Sequence, residues 1–327
     1  MKTGSDNKIE LPSPTAPIVS IAMPTYNRAD SYLKEAIQSA LDQTYHNIEI
    51  IVSDNCSSDD TESVVKSFHD TRIRYFKQTE NVGLKNNLNF CIAQARGEFL
   101  VFLFDDDLID PDFLETCINA IPACSDIGVV LTGAREINEK GQVLGECQNQ
   151  AKGPSVDSFF LDWFAKRTTL YLCSTLYRTQ CLREIGGFHS KTDNYLDVVA
   201  TAKVMAKYQR VDVAAVKASF RRHAKNLSGS VNIDAWCEDS LYLLEVLCEL
   251  APSQRTVLVR EGMPYFCRAN YIMASLTNGL AKRLRAYWTV SQRFNHSYSW
   301  AKWFYGRNII PPVRYYKGRI WQRLKGN

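Results

Sequence analysis

The chain of 327 residues lacks the features that would assign it at once to several protein classes. Its ten cysteines form no CxxC pair, which argues against zinc ribbons and dithiol redox motifs. Many lie in apolar, helix-like stretches such as Val246-Leu247-Cys248, so they read as reduced, buried thiols of a cytosolic protein and not as a disulfide framework. Neither GxGxxG nor GxxxxGK[ST] occurs, so phosphate charge has no common glycine loop to rest in. No apolar run approaches the roughly 20 residues of a membrane-spanning helix. Residues 1–17 are polar and proline-bearing without an apolar core, which predicts a flexible leader and not a signal peptide. Acidic residues are missing from Gly262 to the end, where 12 lysines and arginines stand, so that part has its own electrostatic surroundings.

What is present is a regular alternation. Ile18–Met23, Ile48–Ser53, Ile73–Phe76, Phe99–Phe104 and Gly128–Leu131 are short β-rich runs, and helical apolar spacing lies between them at residues 33–41, 64–68, 84–95 and 112–121. Ser31 is placed as the N-cap of the first helix. The pattern predicts an α/β fold with a mostly parallel sheet covered by helices. In such sheets ligands bind beyond the carboxyl ends of the strands. One strand ends in Pro24-Thr25-Tyr26-Asn27, the next in Asp54-Asn55, and a later one in the three consecutive carboxylates Asp105-Asp106-Asp107. Adjacent like charges repel, so three acids at a strand end suit a hard divalent cation that would neutralise nucleotide phosphates. A solvated acidic turn is the plain alternative.

These residues, in their order, resemble a known family. The series Val19-Ser20-Ile21-Ala22-Met23-Pro24-Thr25-Tyr26-Asn27-Arg28, then Ile50-Ile51-Val52-Ser53-Asp54-Asn55, Asn81-Val82-Gly83, Ala95-Arg96-Gly97-Glu98 and the acid triplet is similar to the family 2 glycosyltransferases of GT-A fold. The likeness covers roughly residues 18–225. It implies a Rossmann-like catalytic domain over 18–230, with a nucleotide-binding half to about residue 110 and an acceptor half beyond. Phe104 departs from the family's commoner pattern, in which an Asp precedes a DD pair.

The resemblance implies roles for individual residues. Pro24, Thr25 and Tyr26 would meet the nucleobase of a nucleotide-sugar donor, and Asp54 would accept from the base imide. Asp105 would lie toward the ribose or the metal, and Asp106 would be the principal ligand of Mn2+ or Mg2+. Asp107 is expected to turn outward. After Gly186-Gly187-Phe188, Asp197 is favoured over Asp193 as the general base for the acceptor hydroxyl. Arg222 and His223, in the segment from Ser219 to Ser228, would cover the diphosphate, with His223 also within reach of the metal. Phe159, Phe160, Trp163 and Phe164 are placed in the core, with the acceptor sugar as the alternative.

Residues 231–327 are expected to be helical and basic. Over residues 301–327 aromatics mix with basic and no acidic residues, which suits an anionic membrane surface. No nucleic-acid module is recognisable. The expected activity is inverting transfer of a sugar, from a UDP-sugar by preference, to a saccharide or lipid-linked saccharide in surface polysaccharide assembly. The expected site of action is the cytoplasm or the inner face of the membrane. The alternatives are a polyprenyl-phosphate sugar transferase and a non-catalytic nucleotide-sugar scaffold.

Overall fold

The computed structural model describes residues 18–123, 125–223 and 232–298. The leader at 1–17 and the basic stretch at 301–327 lie outside the described residues. The strands are β1 (Val19–Thr25), β2 (Ile48–Asp54), β3 (Ile73–Lys77), β4 (Phe99–Phe102), β5 (Leu108–Ile109), β6 (Ile127–Ile137), β7 (Val143–Cys147), β8 (Thr175–Arg178) and β9 (Gln209–Arg221). They form one sheet in the order β3-β2-β1-β4-β8-β6-β9-β5, with β7 on β6. Strands β1, β2, β3, β4, β6 and β9 run one way, and β5, β7 and β8 run against them. The expected mostly parallel α/β sheet is thus observed, and the carboxyl ends of its parallel strands share one edge.

The strands are apolar on both faces because both faces are covered. Ile21, Val101 and Val130 enter one core, while Ala22, Leu100, Phe102, Val129 and Leu131 enter the other. The helices α1 (Leu33–Leu41), α2 (Thr61–Lys66) and α4 (Phe113–Asn119) cover the first face. Their buried positions follow helical spacing, as Leu33, Ala36, Ile37 and Ala40 show. Helix α1 starts after Tyr32 with no side-chain cap, so Ser31 is not its N-cap. Residues 29–32 form a turn in which Ser31 N–H donates to the Arg28 carbonyl.

The second face carries α3 (Gly83–Gln94), α5 (Val156–Phe164), α6 (Thr179–Glu184), α7 (Leu196–Lys207), α8 (Ile233–Leu250), α9 (Arg255–Ser275) and α10 (Leu280–Arg293). The aromatic stretch of α5 belongs to that core. Phe159 and Phe160 are fully buried, and Trp163 and Phe164 pack against Tyr265 and Phe266 of α9. Helix α8 is capped by Asn232, whose side chain accepts from Ala235 N–H, and ends before Pro252. Leu243, Leu247, Phe266 and Val290 share one continuous core with Phe102 and Val199.

Two glycines set the loop that leads to α7. Gly186 and Gly187 have φ of 82° and 74°, and a Cβ on Gly187 would meet Asn89 Oδ1 at 2.3 Å. Asn89 brackets Phe188, accepting from its N–H and donating to its carbonyl. Gly187→Ala is expected to destabilise the fold by about 1–3 kcal/mol, read as a lower urea midpoint with an unchanged slope; an unchanged midpoint contradicts this account of the loop.

Candidate active site

Register places the site residues side by side. Thr25 pairs with Asp54 across β1 and β2, and β4 pairs with β1 as far as Phe102 opposite Ala22. The ladder between β1 and β4 ends there, with Leu103 N–H donating to the Ala22 carbonyl. Pro24 points toward the same side two residues on, where no partner strand requires its missing N–H. Beyond it Tyr26 is exposed at 46%. Asp54 is fully buried and serves its own turn: Oδ1 accepts from Ser57 N–H and Oδ2 from the Tyr75 hydroxyl. Asn55 and Asn81 join that turn to the start of α3, which explains the Asn81-Val82-Gly83 motif.

Strand β4 ends at Phe102, so the acid triplet occupies a turn and does not continue the strand. All three carboxylates are turned inward, with relative exposures of 5%, 9% and 2% for Asp105, Asp106 and Asp107. Arg28 Nε lies 3.2 Å from Asp105 Oδ1. Burial and the neighbouring Asp106 nonetheless push Asp105 up to about 7, against the pull of Arg28. The Thr25 hydroxyl is buried near this carboxyl and makes no hydrogen bond of regular geometry. Asp106 Oδ2 is 2.8 Å from His223 Nε2, so the expected metal pair is adjacent.

Asp107 corrects the expectation that it turns outward. Its Oδ1 accepts from Arg221 N–H at 2.9 Å, and burial together with Asp106 raises it well above the ordinary carboxylate range. The physical reason is that β5 pairs antiparallel with β9 directly after it, Leu108 opposite Ser219, which folds Asp107 against the end of β9.

Arg222 is the second correction. On a strand, alternate residues face opposite sides, so Arg221 and His223 share the side of the triplet and Arg222 faces away. Arg221 is fully buried, donates from Nε to the Asp106 carbonyl at 2.8 Å, pairs with Glu35 at 2.6 Å and stacks over Tyr32. Arg222 instead pairs with Glu136 at 2.7 Å, and Glu136 also accepts from the Tyr171 hydroxyl. Lys166 adjoins this cluster in a left-handed turn after α5, φ 62°. Burial and the nearby Arg268 push its ammonium down to about 8.

Asp197 stands in the first turn of α7. Burial pushes its carboxyl up to about 6, opposed by the free N–H groups of the helix start. Among the described residues it has no ion-pair partner. Asp193, the alternative, has φ 63° and pairs with Lys85 at 3.1 Å. The loop before Asp197 is held by Asp239 of α8, which is fully buried. Its two oxygens accept from the N–H groups of Lys191, Thr192, Asn194 and Tyr195 and from the Ser190 hydroxyl, at 2.7–3.2 Å.

Sequence reading missed Arg221, Glu35, Tyr32, Glu136 and Asp239. The alternation along β9 was the available signal for Arg221, because only i and i+2 share a face. Nothing local marked Asp239, whose partners lie 44 to 49 positions away.

The donor set suits a divalent cation that arrives with a diphosphate. Among the described residues no three His, Cys, Asp or Glu side chains surround a common point. Asp106 and His223 are adjacent, and Asp105 is raised by burial first and by the neighbouring Asp106 second. Such cations are commonly held by one or two protein ligands and completed by substrate phosphates. For the loop, Asp239→Asn is expected to leave a folded protein in which the amides of residues 191–195 exchange hydrogen at least about tenfold faster; unchanged exchange contradicts Asp239 as the anchor.

The profile of "Glycosyl transferase family 2" matches residues 20–181. A Campylobacter jejuni GalNAc(5)-diNAcBac-PP-undecaprenol beta-1,3-glucosyltransferase is 47% identical over 94 residues, 28% of this chain and 30% of its own. S. aureus TarS residues 1–349, solved with UDP-GlcNAc, superposes with TM-score 0.55 and 18% identity, covering 85% of this chain and 91% of that one. The mannosyltransferase PcManGT of Pyrobaculum calidifontis, solved with GDP-Man and Mn2+, gives TM-score 0.52 and 17% identity over 89% and 88%. These structures share the fold. The chain spans 18–40% of the length of the first curated relatives it matches.

Proposed function

The chain belongs to glycosyl transferase family 2 through residues 20–181, and from that premise we propose that it transfers a sugar from a nucleoside-diphosphate sugar to a saccharide or lipid-linked saccharide, with inversion at the anomeric carbon. The observation that carries this reading is the shared edge of the sheet, where Tyr26, the acid triplet and the Arg221–His223 end of β9 meet. The TarS and PcManGT structures hold a UDP-sugar and a GDP-sugar in this fold. The open Tyr26 ring and the strand end at Pro24 and Thr25 suit a base, and a UDP-sugar is favoured because Asp54 offers a carboxylate acceptor to an imide N–H. Asp54 must then share its Ser57 and Tyr75 bonds with the base.

Asp106 and His223, with Asp105 beside them, would hold Mn2+ or Mg2+. Such a cation neutralises the charge that grows on a leaving diphosphate. Arg28 holds Asp105 in place, and Arg221 fixes the turn through the Asp106 carbonyl and Asp107. Asp197 accepts the proton of the acceptor hydroxyl as that oxygen attacks the anomeric carbon from the face opposite the diphosphate. Its raised affinity for a proton suits a base that works near neutral pH. Tyr195, two residues before it, packs edge-on against Trp236 and Phe266, which brings the aromatic floor of α8 and α9 beside the base. Lys166 and Arg268 make no ion pair among the described residues, so they offer positive charge to a phosphate-linked acceptor.

A screen of nucleotide sugars with and without manganese is expected to find one donor that is consumed only with the metal. Asp197→Asn should bind that donor normally and turn it over about 10²–10⁴-fold more slowly; equal turnover by the variant contradicts the assignment. Since the base must be ionised, and its pKa is about 6, the wild-type rate should fall tenfold per unit as pH drops below about 6 and level off above it. A rate independent of pH between 5 and 7.5, on the order of the range where this carboxyl titrates, contradicts Asp197 as the base.

A further inference from the structure

Helix α10 carries apolar side chains on a side that no described residue covers. Leu280, Leu284 and Trp288 recur every fourth residue and so form a stripe along the helix, with relative exposures of 71%, 56% and 65%. The inner side is already satisfied: Ala286, Val290 and Phe294 are buried, and the Tyr287 ring meets Tyr271 of α9. The stripe is therefore additional to the contacts that fold the helix. Single exposed leucines are ordinary, but three large apolar side chains in register form a surface without a partner among the described residues.

Charge says what kind of surface would cover it. The helix holds Lys282, Arg283, Arg285 and Arg293 and no acid. Arg283 donates to the Thr277 carbonyl and Arg293 approaches Asp234, but Lys282 and Arg285 make no ion pair among the described residues. On a helical projection they follow the stripe around the outer face, so apolar and basic strips lie next to each other. At 14 residues the helix is too short to cross a bilayer, and no described helix is long and apolar enough to do so. A second copy docked antiparallel on this face through a twofold axis would set these basic strips against each other, which opposes that dimer.

We propose that the outer face of α10 lies on an anionic phospholipid surface, with Leu280, Leu284 and Trp288 in the interface and Lys282 and Arg285 at the headgroups. The contact differs in place from the stretch at 301–327 and uses residues that the structure describes. It would hold the enzyme at the surface where a lipid-linked acceptor resides.

The test is flotation of the full chain with vesicles of phosphatidylcholine plus phosphatidylglycerol and with vesicles of phosphatidylcholine alone. The wild type should partition onto the anionic vesicles, and Leu284→Ser/Trp288→Ser should partition at least tenfold more weakly. Lys282→Gln/Arg285→Gln should lose the preference for the anionic lipid. All three should share one thermal midpoint, because the substituted side chains are exposed. Equal partitioning of the wild type and the apolar variant overturns the proposal. A wild-type dimer in light scattering that the apolar variant abolishes, without vesicle binding, also overturns it. Partitioning is read without donor or acceptor, so its outcome is separate from that of the transferase reading.

Discussion

Mutual repulsion among three buried aspartates is the constraint around which the rest of the edge is arranged. Asp105, Asp106 and Asp107 follow one another in a turn that hides all three from water. Arg28 and the Arg221 backbone relieve the outer two, and His223 meets the middle one. Burial first, and the charge of Asp106 second, hold Asp105 and Asp107 above the ordinary carboxylate range. A chain that folds with this imbalance keeps an electrostatic demand that a divalent cation answers. The parallel strands are what make the demand useful, because they deliver Tyr26, the triplet and His223 to the same edge.

The second half of the site depends on a different buried charge. Asp239 is also removed from water, but five donors from one loop surround it, so it is satisfied within the protein. That loop ends at Asp197. The C-terminal helices therefore share the core of the sheet, and α8 fixes the loop that leads to Asp197. Two anionic centres thus behave in opposite ways, one closed by the protein and the other left short of positive charge.

Much of this was legible in the sequence because it is local. Strand ends, the acid triplet and the helical appendix follow from period, turn chemistry and order along the chain. The preference for Asp197 over Asp193 rests on the family resemblance together with helix register, and Asp193 pairs with Lys85 at the surface. What stayed hidden was long-range or depended on facing. The expectation that Asp107 turns outward fails because the pairing of β5 with β9 folds it inward. Arg222 was chosen beside His223, although strand alternation turns Arg221 to that side. The nest around Asp239 joins residues far apart in the chain, and no motif records such a contact.

The electrostatic account rests on a cation bound at the triplet together with the diphosphate, and electron paramagnetic resonance of Mn2+ tests it most directly. Titration of Mn2+ into the full chain with UDP should give a protein-bound signal, and Asp106→Asn should weaken that binding at least about tenfold while the fold persists. Equal Mn2+ binding by the variant, or no bound Mn2+ in the wild type with UDP present, would contradict the account.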